Sequence, residues 1–272
     1  MVKVEETISF ITKWLKSYNA KAGTQGFVVG VSGGIDSAVV STLCAKTGAP
    51  TLVIEMPIHQ AKDQVNRGQT HIKWLCNNFS NVQHTQLDLT SSYDDFVRSL
   101  EKVEDLHKNQ DLKNLTLSNT RSRMRMTSLY AIAGLHGMLV CGTGNKVEDF
   151  GVGFYTKYGD GGVDLSPIAN LMKSEVFALG KAMGVTELIL NARPTDGLWD
   201  DGRTDEDQIG ATYDELEWAM RIQMKEGNTP DTKTFGKREA EVWNIYLQRH
   251  KANLHKMNPI PVCELPEEFH LE

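Results

Sequence analysis

The sequence predicts an α/β fold: a doubly wound, mostly parallel sheet with helices on both faces. Three observations lead there. Gly26-Phe27-Val28-Val29 is an apolar, β-branched strand that runs into a glycine turn, Gly30-Val31-Ser32-Gly33-Gly34-Ile35-Asp36-Ser37, and then into the small apolar helix Ala38–Ala45. Strand and helix patterns go on alternating over the first 150 residues, as parallel strands joined by crossovers require. A second glycine turn, Gly142-Thr143-Gly144-Asn145, follows another strand. Both turns therefore fall at the carboxyl edge of the sheet, where such folds bind ligands.

The elements follow in order. Val4, Ile8, Ile11 and Leu15 recur at helical spacing and predict an amphipathic helix over 3–20. After the first strand, turn and helix, Thr51–Met56 is a second strand, stopped by Pro57. A helix over 60–78 turns Val65, Ile72 and Leu75 inward, Val82–Leu89 is a third strand, and 92–103 is helical. The polar run Glu104–Asn114 predicts a mobile loop. A long helix from Asn119 to Gly137 leads to a short strand at Met138–Cys141. Helices near 213–226 and 234–253 and a proline-punctuated tail, Pro259–Pro266, complete the chain. We expect one domain over 1–272, with a helical C-terminal region and tail.

Composition narrows the function classes. A net charge of −6 argues against a nucleic-acid partner, which calls for a basic face. The longest apolar run, Ala131–Cys141, is too short to span a bilayer, and the acidic start (Glu5, Glu6) is not a signal peptide. Cys44, Cys76, Cys141 and Cys263 show neither C-x-x-C pairing nor metal-ligand spacing. Three of them lie in apolar segments that predict burial, and all four read as reduced thiols of a cytoplasmic protein.

The first turn has the chemistry of an anion site. Its glycines let backbone N–H groups approach an oxyanion, and the following helix N-terminus adds a favourable dipole. Asp36 stands where a carboxylate can hold a divalent cation against phosphate, although Asp36 or Ser37 would also serve as a simple helix cap. The turn lacks the Gly-Lys-Ser/Thr ending of a P-loop and is not Gly-x-Gly-x-x-Gly. A second stretch, Phe154-Tyr155-Thr156-Lys157-Tyr158-Gly159-Asp160-Gly161-Gly162-Val163-Asp164, predicts a tight turn with positive φ angles at its glycines. Its aromatics suit a heterocycle and its lysine a carboxylate or phosphate.

Ser32-Gly33-Gly34-Ile35-Asp36-Ser37 resembles the pyrophosphate loop of the ATP pyrophosphatases, whose fold is adenine nucleotide alpha hydrolase-like and Rossmann-like. Thr156-Lys157-Tyr158-Gly159-Asp160-Gly161-Gly162-x-Asp164 followed by Ser166-Pro167-Ile168 resembles more narrowly the ammonia-dependent NAD synthetases. The resemblance runs in order from about Gly26 to Pro261. It includes Asn119-x-x-x-Arg123-x-Arg125-Met126, Gly142-Thr143 with Glu148, Leu171-x-Lys173, Arg193-Pro194-Thr195 and His255-Lys256.

The resemblance implies a ligase that adenylates the nicotinate carboxylate of deamido-NAD with ATP. Ammonia then displaces AMP, in the last step of NAD biosynthesis. It implies that Gly30, Val31, Ser32, Gly33, Gly34, Ile35, Asp36, Ser37, Thr143, Lys173 and Thr195 contact ATP. Mg²⁺ is implied at Asp36 and Glu148, although Glu148 alone would read as a solvated helix residue. Arg123, Lys157, Asp164, His255 and Lys256 are implied to bind deamido-NAD, with Arg125 and the pair His250-Lys251 as alternatives. Asp36, Lys173 and Asp164 are the catalytic candidates, Asp164 only as a guess at the base for ammonium. A homodimer is implied as well.

The acidic stretch Arg193–Asp207, with Gly197, Trp199 and Gly202, is either a solvated loop or, as in the resembled family, one that closes over the site. Glutamine-dependent members carry an additional amidase domain. This chain spends nearly all its length on synthetase motifs, so ammonia is the expected nitrogen donor. The rivals are a tRNA-modifying adenylating enzyme, which predicts a basic surface, and a nucleotide sensor, which predicts loss of the metal carboxylates.

Overall fold

A computed structural model describes residues 2–103, 109–195 and 204–269, with the Lys62 side chain left aside. The chain opens with helix α1 (Val4–Ala22), strand β1 (Phe27–Gly30), helix α2 (Ile35–Lys46), strand β2 (Thr51–Glu55) and helix α3 (Lys62–Asn78). Strand β3 (Val82–Gln86), helices α4 (Thr90–Leu100) and α5 (Gln110–His136) and strand β4 (Leu139–Val140) follow. A π-helical segment, Val147–Val152, comes next. After it run helices α6 (Lys173–Ala182), α7 (Glu187–Leu190), α8 (Asp205–Ile209), α9 (Tyr213–Glu226) and α10 (Lys237–Met257).

The four strands are parallel, in the order β3-β2-β1-β4, with Phe27 opposite Thr51 on one side and Leu139 on the other. Chain order reverses between β1 and β4, so the crevice at their carboxyl ends is the switch point where doubly wound sheets bind ligands. Alternation along the strands separates the two faces. Phe27, Val29 and Cys141 pack with α1, α2 and α6, and Val31 and Val53 with α3. Val28, Leu52, Ile54 and Val140 pack against Tyr93 of α4 and Ala133 of α5. A further apolar cluster wraps the π segment (Val147, Val152) in α9 and α10 through Tyr213, Leu216, Met220, Trp243 and Tyr246.

Several expectations need correction. Residues 110–114 are not a loop: α5 starts at Gln110, nine residues before Asn119. The Asn109 side chain accepts the Leu112 N–H (3.0 Å) as its cap, and Gln110 bonds Asn114 one turn on (2.8 Å). The polar run is an exposed helix face; the rest of that prediction, 104–108, lies outside the described residues. β3 ends at Gln86, because Asp88 turns the chain by accepting the Thr90 N–H (2.8 Å) at the start of α4. Of the cysteines, two are buried, Cys44 and Cys141 with sulfurs 3.5 Å apart; Cys76 and Cys263 are exposed, and all four are free thiols. Among the described residues no helix is long and apolar enough to cross a membrane.

Candidate functional site

The first glycine turn leaves β1 with its hydroxyls tied inward. Ser37 Oγ donates to Gly34 O (3.0 Å) and accepts the Ser32 N–H (3.3 Å), and the two serine oxygens lie 3.2 Å apart. Gly33 has φ of 85°, the left-handed region open to glycine. A Cβ there would stand 2.7 Å from Gln64 O and 2.9 Å from Gly68 N, so α3 seats directly on the turn.

Asp36, in the first turn of α2, faces Lys173, the first residue of α6. Lys173 Nζ donates to Asp36 Oδ2 (2.6 Å) and to Glu148 Oε1 (2.8 Å), and the lysine is 3% exposed. α6 is held at that position by Glu175, which accepts the Met172 N–H, and by Glu217, which accepts the Ser174 N–H (2.8 Å) and hydroxyl (2.7 Å). Asn145, fully buried, bridges the carboxylates. Its Nδ2 donates to Asp36 Oδ1 (3.1 Å), while its Oδ1 accepts the Val147 and Glu148 N–H groups. Tyr213 Oη donates to Glu148 Oε1 (2.6 Å), and its ring lies 4.7 Å from Lys173 Nζ.

One lysine thus serves two carboxylates, and their titration reflects it. Burial pushes Asp36 up and Glu148 adds to the shift, with Lys173 opposing it. Burial also penalises the charged form of Glu148, but Lys173 and the bonds from Tyr213 and Asn145 outweigh it and hold Glu148 low. Burial pulls the Lys173 ammonium down, yet the two carboxylates overcome it and raise it. Burial next to Glu148 and Asp205 lifts Tyr213 well above the ordinary phenol value, so it remains a donor.

This donor set fits magnesium. Two facing carboxylates are few for an all-protein cage but suit a cation that takes its remaining ligands from water and phosphate. No group of three or more metal-ligating side chains occurs among the described residues.

Around these groups lies a cavity of about 150 Å³ lined by the Ser32–Ser37 turn, Thr143, Glu148, Lys173 and Thr195. A larger one, about 320 Å³, adjoins it between the ends of β1 and β2, the middle of α5 and the 154–163 segment. Ser32, Thr143 and Asp160 line both. Two carboxyls in this region, Asp149 and Asp160, are driven up chiefly by burial.

The 154–164 turn corrects the sequence expectation. Its glycines do not take positive φ; the residue that does is Tyr158, at 61°. The glycines are there for close approach. A Cβ on Gly159 would fall 2.3 Å from Ser122 Oγ, and one on Gly161 2.5 Å from the Tyr155 ring. α5 fastens the turn: Ser122 Oγ donates to Asp160 Oδ1 (2.7 Å), and Thr156 Oγ1 to Asn119 Oδ1 (2.7 Å).

Arg123, Lys157, His255 and Lys256 gather along this segment, although they line neither cavity. Arg123 Nε donates to Lys157 O (3.3 Å), Lys157 Nζ to His255 O (2.8 Å), and Lys256 Nζ to Gly153 O (2.8 Å) and Tyr155 O (2.7 Å). Of the alternative pair, His250 Nδ1 lies 2.7 Å from Gly151 O, ahead of this segment, and Lys251 is exposed. Arg125, the alternative to Arg123, lines the larger cavity and donates to Met56 O (3.0 Å) and Gln60 Oε1 (2.7 Å).

Asp164 stands apart, lining neither cavity. It accepts the Tyr130 hydroxyl (3.0 Å) and the Val140 N–H (2.8 Å), which ties the turn to β4. Gly197, Trp199 and Gly202 lie outside the described residues. The sequence marks Asn145 only as the end of the second glycine turn and gives no signal for Tyr213, because their contacts in the site come from where the chain returns.

Comparison with known proteins agrees with this architecture. The family model for NAD synthase matches residues 7–260. An NH(3)-dependent NAD(+) synthetase of Finegoldia magna is 38% identical over 76% of this chain and 80% of its own. One from Methanosarcina acetivorans is 33% identical over 96% and 98%. Among solved structures, an NMN synthetase from Francisella tularensis superposes with a TM-score of 0.80 at 31% identity, covering 98% of this chain and all of that one. Matched along nearly its whole length in sequence and in structure, the chain belongs to the NAD synthase family of ligases.

Proposed function

We propose that the protein makes NAD from deamido-NAD, ATP and ammonia through an acyl-adenylate. The observation that carries this is the joining of the two cavities through Ser32, Thr143 and Asp160. It sets a phosphate site against a pocket whose Met56, Leu129, Phe154 and Tyr155 suit a heterocyclic ring. A carboxylate is a poor acyl donor, so its oxygen first attacks the α-phosphorus of ATP while the bond to pyrophosphate breaks. Ammonia then attacks the carbonyl carbon, and the bond to AMP breaks as ammonia loses a proton.

No covalent enzyme nucleophile is needed. Anions must be brought together, and the chain does so by positioning and neutralisation. The turn from Gly30 to Ser37 takes the leaving pyrophosphate on its backbone N–H groups, with Thr143 and Thr195 alongside. Lys173 turns from its carboxylates to the phosphate oxygens. Asp36 and Glu148 would hold magnesium, which would supply neutralisation of phosphate charge. Arg123, Lys157, His255 and Lys256 supply positive charge for deamido-NAD, and Asp164 serves that side by fixing the turn.

The chain works as one synthetase unit in the cytoplasm, without nucleic acid. It works as a homodimer, as the resemblance to the family implies. Purified protein given ATP, Mg²⁺, deamido-NAD and ammonium should release NAD, AMP and pyrophosphate in equal amounts. Binding without turnover would mark a sensor, and pyrophosphate release that requires tRNA would refute the assignment. The Francisella relative favours a second acyl substrate, the mononucleotide acid whose amide is NMN. The ratio of kcat/KM for the two acids decides between them.

A further inference from the structure

We infer that Tyr213 is a positioning residue for the phosphate side of the reaction, acting through Glu148 and Lys173. The inference rests on the proposal that Asp36 and Glu148 hold the metal. Tyr213 opens α9, a helix of the C-terminal cluster, and reaches back to the crevice at the end of the sheet. Its hydroxyl donates to Glu148 Oε1 at 2.6 Å, the same oxygen that Lys173 Nζ reaches at 2.8 Å. Its ring stands 4.7 Å from that ammonium, within range of a cation–π attraction.

The phenol has little freedom. It is 6% exposed, its backbone N–H donates to Glu206 Oε1 (3.0 Å), and Thr212 and Glu215 cap the helix just ahead of it. Asp205 Oδ2, 3.2 Å from the hydroxyl, offers a second, more distant acceptor. The single phenol proton therefore goes to Glu148, a charge-assisted bond of the stronger kind.

This arrangement does two things. Glu148 needs one carboxylate orientation whether or not Lys173 is in contact with it. When Lys173 turns toward phosphate, the Tyr213 hydroxyl is the side-chain donor that remains on Oε1 and keeps the carboxylate aimed. The ring meanwhile gives the moving ammonium an electron-rich surface. Tyr213 thus lets a lysine and a divalent cation share one pair of carboxylates in turn.

The test is Mn²⁺ binding followed by electron paramagnetic resonance with α,β-methylene-ATP, which cannot be cleaved at the reacting bond. Tyr213→Phe keeps the ring and should bind Mn²⁺ about tenfold more weakly, as loss of a partner behind a metal ligand typically does. Glu148→Gln should weaken it more, and the double variant no further than Glu148→Gln alone, because the hydroxyl acts through that carboxylate. A merely structural tyrosine would lower Tm and leave Mn²⁺ affinity and this non-additivity unmoved, which would overturn the inference. Tyr213→His, with a ring and a donor, should recover part of the binding if Tyr213→Phe is too unstable to titrate; no recovery in folded Tyr213→His would also count against it. Unchanged Mn²⁺ binding in Asp36→Asn and Glu148→Gln would instead refute the metal site beneath it.

Discussion

Lys173 shows how a side chain acquires its role from its surroundings. Held between Asp36 and Glu148 at 2.6 and 2.8 Å, it neutralises the two carboxylates that the proposed function gives to magnesium. Removing one member of a buried ion pair typically costs about 3–5 kcal/mol, because the charges left behind lose their partner. Lys173→Met should therefore lower Tm and leave two carboxylates that Mg²⁺ can neutralise. Added Mg²⁺ without nucleotide should then raise the Tm of the variant and not that of the wild type, by mass action on the folded state. Equal responses in a thermal scan would refute the counter-ion role. Gly33→Ala tests the turn itself. At φ 85°, with backbone atoms of α3 2.7 and 2.9 Å from its Cβ position, alanine should cost about 2 kcal/mol or more and abolish tight ATP binding. Denaturant unfolding and calorimetric titration with ATP check both.

Elements show what the pattern of residues carries and what it leaves out. β1, β2 and α2 are legible because every turn along them buries apolar side chains, and α2 reads as helix right through its ten buried residues. The start of α5 is not legible, because an exposed polar face has no periodicity to report; only the Asn109 cap marks it. The glycines of the 154–164 segment mark a turn but not its conformation, since the positive φ falls at Tyr158. Composition calls for small residues there; only the packing of Ser122 and Tyr155 says that room, and not positive φ, is the reason. α3 carries a further consequence. His71 is fully buried, with Nε2 3.0 Å from Ser41 Oγ, and burial depresses its pKa to about 4. Its value in the unfolded chain is about 6.5. Between the two the unfolded state binds more protons, so stability is fully present above pH 6.5 and is lost as pH falls toward 4. Between pH 7.5 and 5 the loss should be about 2 kcal/mol. His71→Leu should flatten this limb in urea titrations, since Ser41 keeps its bond to Ser37 O (2.7 Å). An unchanged slope would mean that another group titrates there.

At the scale of the molecule the site is a seam. The sheet supplies the glycine turns, α6 the lysine, and the C-terminal helices close the arrangement from the far side through Tyr213 and through Lys256 on the 153–155 carbonyls. Motif residues such as Asp36, Glu148 and Lys173 could be named from sequence. The contacts of Asp36 with Asn145, 109 positions on, and with Lys173, 137 positions on, could not, because spacing along a chain does not report where a fold returns. The central claim is that the nicotinate carboxylate takes the AMP moiety before nitrogen enters. The direct test is to supply deamido-NAD with ¹⁸O in that carboxylate, together with ATP, Mg²⁺ and ammonium, and to weigh the nucleotide released. One ¹⁸O should appear in the phosphate of AMP for each NAD formed. Unlabelled AMP, or ADP and phosphate in its place, would contradict the account.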